Sequence, residues 1–131
     1  MKHIKEKVDF YENKRQKMNS QEGKILNTKI NEKRQFAYRP RTKVARKILN
    51  ILETDEFIKY NGVTVYPTCN ITLKIFRHQI PIKISGIEEK IRLYLRAPLT
   101  GQLLITTNKG LVGHREAIER RIGGYIIGYY Y

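Results

Sequence analysis

An α+β fold, with a small N-terminal α/β lobe followed by a β-rich C-terminal lobe carrying one short helix, is expected from three features of the sequence. One segment, residues 42–54, repeats its apolar residues at the helical period. Most of the chain beyond residue 54 alternates apolar and polar residues in short runs divided by turn residues. A single late helical segment then lies among strands, which is not the strict alternation of a parallel βαβ sheet. The 131 residues suit one compact domain or two small lobes, and 40% apolar residues suffice for a core.

Residues 1–39 read as a basic N-terminal extension with an opening helix. Ile4, Val8 and Tyr11 fall at helical spacing within the first 18 residues, and residues 19–23 (Asn-Ser-Gln-Glu-Gly) read as a break. Residues 24–39 scatter Ile25, Leu26, Ile30, Phe36 and Tyr38 among many charges, so a solvated arm with a short strand is expected.

Residues 40–85 form the expected N-terminal lobe. Pro40 stops the arm and Thr42 is placed to cap a helix. That helix carries Val44, Ile48, Ile51 and Leu52 on one face and Lys43, Arg46 and Lys47 on the other. Residues 57–60 and 63–66 flank Asn61-Gly62, a pair suited to a type I′ hairpin turn. Ile71, Leu73 and Ile75 share one face of a strand, and residues 80–84 form another that Pro81 weakens toward an edge.

Residues 86–131 form the expected β-rich C-terminal lobe. Over residues 90–96, alternation points Ile91, Leu93 and Leu95 inward and Arg92, Tyr94 and Arg96 outward. Residues 97–101 form a turn, Leu103 to Ile105 a buried strand, and residues 106–110 a polar loop. A short helix over 114–121 stops at Gly123, read as its left-handed cap. The last strand, 125–131, puts Tyr125, Tyr129 and Tyr131 on one face, an arrangement as consistent with edge packing as with base stacking.

Charge and missing motifs narrow the function. The formal net charge is +14, from 26 Lys plus Arg against 12 Asp plus Glu, and most of it sits in residues 1–47. Such a balance favours a polyanionic partner: RNA, DNA or an acidic membrane. One cysteine, Cys69, allows no internal disulfide and no CxxC knuckle, and His3, His78 and His114 lack metal-ligand spacing, so no metal or cofactor is expected. No apolar run spans a membrane, and the narrow stripe of residues 1–18 and the lack of Trp weaken a membrane-surface role. The carboxylates do not cluster. Glu116 and Glu119 have basic neighbours on the late helix, and neither phosphate-loop pattern occurs, so an enzyme acting on a small-molecule substrate is not expected. His114 reads as a cap or surface residue rather than a general base. Thr106, Thr107, Asn108, Lys109 and Gly110 instead combine hydroxyls, an amide, a cation and a permissive glycine, which suits base edges and 2′-OH groups; a plain polar turn has the same composition. Arg92, Tyr94 and Arg96 could supply phosphate forks and a stacking phenol, against the bland alternative of a solvated strand row.

These residues also resemble a known family. From Gly101 to Tyr129, without a gap, the chain is similar to the end of the small-subunit ribosomal protein S8 family: a glycine, an apolar strand, Ser-Thr-Ser-Lys-Gly, then Thr-Asp-Arg-Glu-Ala, paired glycines with a glutamate, and a Tyr-containing terminal strand. Pro40-Arg-Thr-Lys43 through Phe57-Ile58 is similar to the family's Pro-Ser-Ser-Lys helix ending in Gly-Phe-Ile. The resemblance implies a non-enzymatic constituent of the ribosome that binds the central domain of small-subunit ribosomal RNA and supports assembly and translation beside neighbouring ribosomal proteins. It implies that residues 106–110 touch the RNA, together with Arg92, Tyr94, Arg96, Arg115 and Lys43. Gly123 and Gly124 match the paired glycines. The chain departs from the pattern at Asn108, at Gly113-His114, at Tyr125 where the family has glutamate, and at Glu56 where it has glycine. These departures, with 18 Ile and 15 Lys pointing to an A/T-rich gene, suggest a bacterial-type organellar member in a mitochondrion, with a plastid or bacterial cytoplasm as alternatives. The competing class is a generic basic module for RNA or anionic membrane outside the ribosome.

Overall fold

The computed structural model describes residues 20–95 and 100–131. The expected helix within residues 1–18, the start of the turn at 97–101, and Arg96 lie outside the described residues. The elements are α1 (Ser20–Asn31), β1 (Phe36–Ala37), α2 (Lys43–Thr54), β2 (Ile58–Tyr60), β3 (Thr64–Pro67), β4 (Leu73–Ile82), a 3₁₀ turn (Ile84–Gly86), α3 (Ile87–Tyr94), β5 (Gln102–Thr107), β6 (Gly110–Gly113), α4 (His114–Arg120) and β7 (Gly124–Tyr130). They build two antiparallel sheets, ordered β1-β3-β2 and β4-β7-β5-β6, so the fold is α+β as expected.

Helix α1 starts inside the stretch read as a break, and Leu26 and Ile30, one turn apart, are fully buried. Residues 24–31 therefore pack one face into the core and are not a solvated arm; the short strand expected after them is β1. Buried Glu22 joins them, its Oε1 accepting from the Tyr38 hydroxyl at 2.8 Å and the Arg41 N–H at 2.9 Å. Burial, with the Glu22 carboxylate beside it, pushes the Tyr38 phenol above its ordinary range. On the same helix, Asn31 exchanges two hydrogen bonds with the Leu73 backbone (3.0 and 2.8 Å) and Asn27 accepts from the Ile75 N–H at 3.0 Å. Two amides one helical turn apart thus cover part of the free edge of β4, a position that would otherwise invite pairing with another chain.

Helix α2 forms as its sequence directs. The Thr42 hydroxyl accepts from the Ala45 N–H at 3.1 Å, and Val44, Ala45, Ile48, Leu49 and Leu52 are buried. The helix ends through Asp55 into Glu56, whose φ is 63°. That left-handed residue stands where the resembling family carries glycine. A side chain there costs about 1–2 kcal/mol. Glu56→Gly is expected to raise stability by about 0.5–1 kcal/mol, since glycine's looser unfolded chain takes back part of the gain; a melting curve that fails to rise would refute the strain at this turn.

The β2–β3 hairpin sits at Asn61-Gly62, but the turn is not type I′. Only Gly62 has positive φ (93°), and the Asn61 Oδ1 accepts from the Val63 and Thr64 N–H groups at 2.9 and 2.8 Å. The two strands expected over 70–84 are one edge strand, β4, containing Pro81 and slipping register between Ile75 and Ile80.

The four-stranded sheet buries both faces. Leu73, Leu104, Leu111, Ile127 and Tyr130 join α1, α2 and the three-stranded sheet in one core. Ile82, Leu103, Ile105, Val112 and Ile126 pack with Ile87, Ile91 and Leu95 of the α3 region and Ala117 of α4 in a second. This two-sided burial is why β5 reads as a nearly continuous apolar run.

Candidate nucleic-acid interface

Strands β5 and β6 form a hairpin whose tip is Asn108-Lys109. The tip is set by residues that do not themselves reach solvent. Thr107 is buried; its hydroxyl donates to the Gly110 carbonyl at 2.8 Å and accepts from the Lys109 N–H at 3.0 Å. Thr106 is also buried, and its hydroxyl donates to the Tyr125 carbonyl at 3.3 Å. Gly110 has φ +101°, which only glycine takes without strain, and open space where a Cβ would be. At Gly124 a Cβ would meet the Thr106 carbonyl oxygen at 2.0 Å, so this glycine lets β7 lie against β5 beside the tip. Of the five loop residues picked from sequence, Asn108 and Lys109 carry exposed side chains, Gly110 is half-exposed, and the two threonines hold the turn.

Residues 87–94 are helix α3, not a strand, so the expected outward row does not form. Ile87, Ile91 and Leu95 recur every fourth residue and are buried, while Leu93 is 65% exposed. Arg92 is exposed, but Tyr94 turns into a ring cluster, stacked on Tyr129 (centroids 5.3 Å apart) and tilted against Phe76 (5.3 Å). Its ring packs in that cluster and forms no strand row with Arg92. The tyrosines of β7 also part company. Leu104 pairs with Gly128 and Ile105 with Ile126, so Ile127 is a bulge that reverses the alternation. Tyr129 and Tyr131 pack in the second core, whereas Tyr125, across from Thr106, lies on the other face and is 39% exposed.

Arg115 belongs to a polar knot at the opposite end of the sheet. Asp55, at the end of α2, accepts from Gln102 Nε2 at 3.0 Å, from the fully buried Tyr130 hydroxyl through a short bond, and from Arg115 NH1 at 3.3 Å. Arg115 also donates to the Gly101 carbonyl at 3.1 Å. Burial, reinforced by the Asp55 carboxylate, holds the Tyr130 phenol protonated well past its ordinary range. Gln102 Oε1 accepts from the Arg115 N–H at 3.2 Å, serving the N-terminus of α4, where Gly113 offers no side-chain cap. The helix stops at Arg121, left-handed with φ 55°, and not at Gly123. Sequence reasoning did not single out Asp55 or Gln102; the available signal was a glutamine entering an apolar strand, which must find partners once buried.

His114, expected at the surface or as a cap, is 4% exposed, and its Nδ1 accepts from the Leu103 N–H at 3.0 Å. Burial, with the Arg115 cation second and partly opposed by Asp55, lowers it from 6.5 to about 4. The unfolded chain therefore takes up a proton as the pH falls through 6.5, which the folded chain refuses until about 4. Stability is complete above that window and declines within it, by about 3 kcal/mol in full. The stability difference between the wild type and His114→Gln, from urea melts at pH 7.5 and 4.5, should shrink or reverse on acidification; a constant difference would sink this linkage.

Helix α2 packs against β6 and turns Lys43, Arg46 and Lys47 to solvent. Among the described residues no helix is long and apolar enough to cross a membrane, and no group of three His, Cys, Asp or Glu could hold a metal.

Comparison with known proteins gives one consistent answer. The family Ribosomal protein S8 matches residues 19–131. Small ribosomal subunit protein uS8A of Schizosaccharomyces pombe is 24% identical over 117 residues, covering 82% of this chain and 90% of the relative. Small ribosomal subunit protein uS8 of Aeropyrum pernix is 27% identical over 120 residues with the same coverage. The uS8 protein of Nanoarchaeum equitans is 42% identical over a shorter stretch of 53 residues, 40% of this chain and 41% of the relative.

Proposed function

The chain belongs to the ribosomal protein S8 family, and from that premise we propose that its β5–β6 hairpin tip reads the RNA while its other exposed bases hold phosphates. Members of the family are structural, non-enzymatic constituents of the small ribosomal subunit that bind its RNA and other ribosomal proteins. This chain is accordingly a component of that subunit.

The observation that carries the finer reading is the tip itself. Asn108 and Lys109 project from a turn whose own hydrogen bonds are satisfied by Thr107 and whose backbone is kept open by Gly110. The turn fixes the backbone beneath both side chains, so the Asn108 amide meets unpaired bases and sugar hydroxyls better than the smooth groove of an A-form duplex, and the Lys109 ammonium holds a phosphate beside it. Thr106 and Thr107 act through this turn. Lys43, with Arg46 and Lys47, supplies phosphate contacts, as does Arg92. Arg115, partly exposed and already salt-bridged to Asp55, contributes positive potential near Gly101. The target is a distorted internal loop in the central domain of the subunit RNA.

A filter-binding comparison tests this. The chain should prefer an internal-loop fragment of its own small-subunit RNA to a regular duplex of equal length, and Asn108→Ala should remove that preference. Equal binding of both RNAs, untouched by the substitution, would reduce the protein to a generic basic module. A mitochondrial ribosome is supported by the A/T-rich residue usage and the departures from the family pattern, and blotting of purified mitochondrial and cytosolic ribosomes against the chain decides it.

A further inference from the structure

We propose that Tyr125 and Pro81 form a platform on which one unpaired base of the bound RNA stacks, beside the Asn108-Lys109 tip. This rests on the tip being the RNA-reading end of the sheet. The platform is a product of register. Pro81 pairs with Tyr125, Tyr125 with Thr106, and Thr106 with Leu111, so these four residues form one transverse row on one face of the sheet. Toward β6 the row is buried: Thr106 and Leu111 are almost wholly covered. Toward β4 it is open, with Pro81 exposed and the Tyr125 ring 39% exposed. The bulge at Ile127 creates this openness, because without it Tyr125 would fall on the face of Tyr129 and Tyr131 and join their ring cluster.

The surroundings select the occupant. Neighbouring strands lie about 4.8 Å apart, so Pro81 and Tyr125 together present a flat apolar surface about the width of a nucleobase. The chain segments meeting at this end of the sheet, residues 80–83, 106–110 and 121–125, contain Lys83, Lys109 and Arg121 and no acidic residue. An exposed aromatic ring at an end of the sheet whose segments carry cations and no acid suits the π-face of a base whose phosphates lie beside it.

The test uses the full chain and an internal-loop RNA carrying 2-aminopurine at each unpaired position in turn. With wild type, fluorescence should be quenched at one of those positions. Tyr125→Phe should keep the quench and hold affinity within about threefold, while Tyr125→Ala should lose the quench and weaken internal-loop binding roughly ten- to a hundredfold, leaving duplex binding unchanged. Circular dichroism melts of both variants confirm that the sheet is intact. If Tyr125→Ala retains quench and affinity while Asn108→Ala still abolishes preference, the platform is wrong and the tip reading stands. If none of these substitutions alters the preference, both fall together.

Discussion

Replacing Asp55 with alanine is expected to cost about 3 kcal/mol of folding stability, from a total of the order of 5–15 kcal/mol for a domain of this size. The magnitude comes from the groups the carboxylate leaves behind. Tyr130 is fully buried and its hydroxyl donates to Asp55; Gln102, also buried, donates from Nε2 at 3.0 Å. Without the acceptor two buried donors lose their main partner, and each such loss costs about 1–3 kcal/mol. The ion pair with Arg115 adds little, because that guanidinium side chain is 45% exposed and water screens it. Tyr130→Phe should cost less, about 1–2 kcal/mol, since the ring keeps its edge contact with Phe57 at 5.0 Å. The double variant should fall short of the sum of the singles by about 1 kcal/mol or more, the signature of residues sharing one network. Additive losses, or a loss under 1 kcal/mol in Asp55→Ala, would mean that the knot does not hold α2 to the sheet.

What was legible in the sequence was local. Helix α2 combines a capping threonine, a stop and a 3.6-residue stripe within one short window, and it forms where expected. The β2–β3 hairpin and the late helix are also where turn residues and apolar runs put them, although the turn chemistry differs. The failures have specific causes. Residues 90–96 taken alone alternate well enough to pass for a strand; from Ile87, the residues Ile87, Ile91 and Leu95 fall every fourth position, with Glu88 and Glu89 in the first turn and Arg92 in the last. Helix α1 was hidden because an acid, Glu22, and two asparagines occupy its packed sides. Their partners lie 16 to 48 residues away, and no local pattern announces them. The split of the β7 tyrosines depends on one unpaired residue, Ile127, which shows only once the pairing with β5 and β4 is known. At the candidate site the composition of residues 106–110 marks a polar turn, whereas the division within it, threonines inward and Asn108 and Lys109 outward, follows only from the hydrogen bonds of that turn.

That division predicts that substitutions at the tip separate affinity from discrimination. With about five phosphates neutralised by the exposed bases, raising salt from about 50 to 200 mM should weaken RNA binding roughly 500-fold, for duplex and internal loop alike. Lys109→Ala removes a charge and should weaken both RNAs together, lowering the log–log salt slope by about 1. Asn108→Ala removes a donor and an acceptor but no charge, so the slope should be unchanged and only the internal-loop preference should fall, by about 1–3 kcal/mol. Thr107→Ala should resemble both at once, because its hydroxyl bonds to Gly110 and Lys109 fix where the tip points. The basic face of α2 supplies the control: Lys47→Ala changes the slope and leaves the preference intact, since a phosphate contact carries no sequence information. A salt slope that shifts equally in Asn108→Ala and Lys109→Ala would contradict the assignment of reading to the amide and anchoring to the ammonium. Preference that survives Asn108→Ala but vanishes in Lys47→Ala would move the reader from the hairpin to the helix.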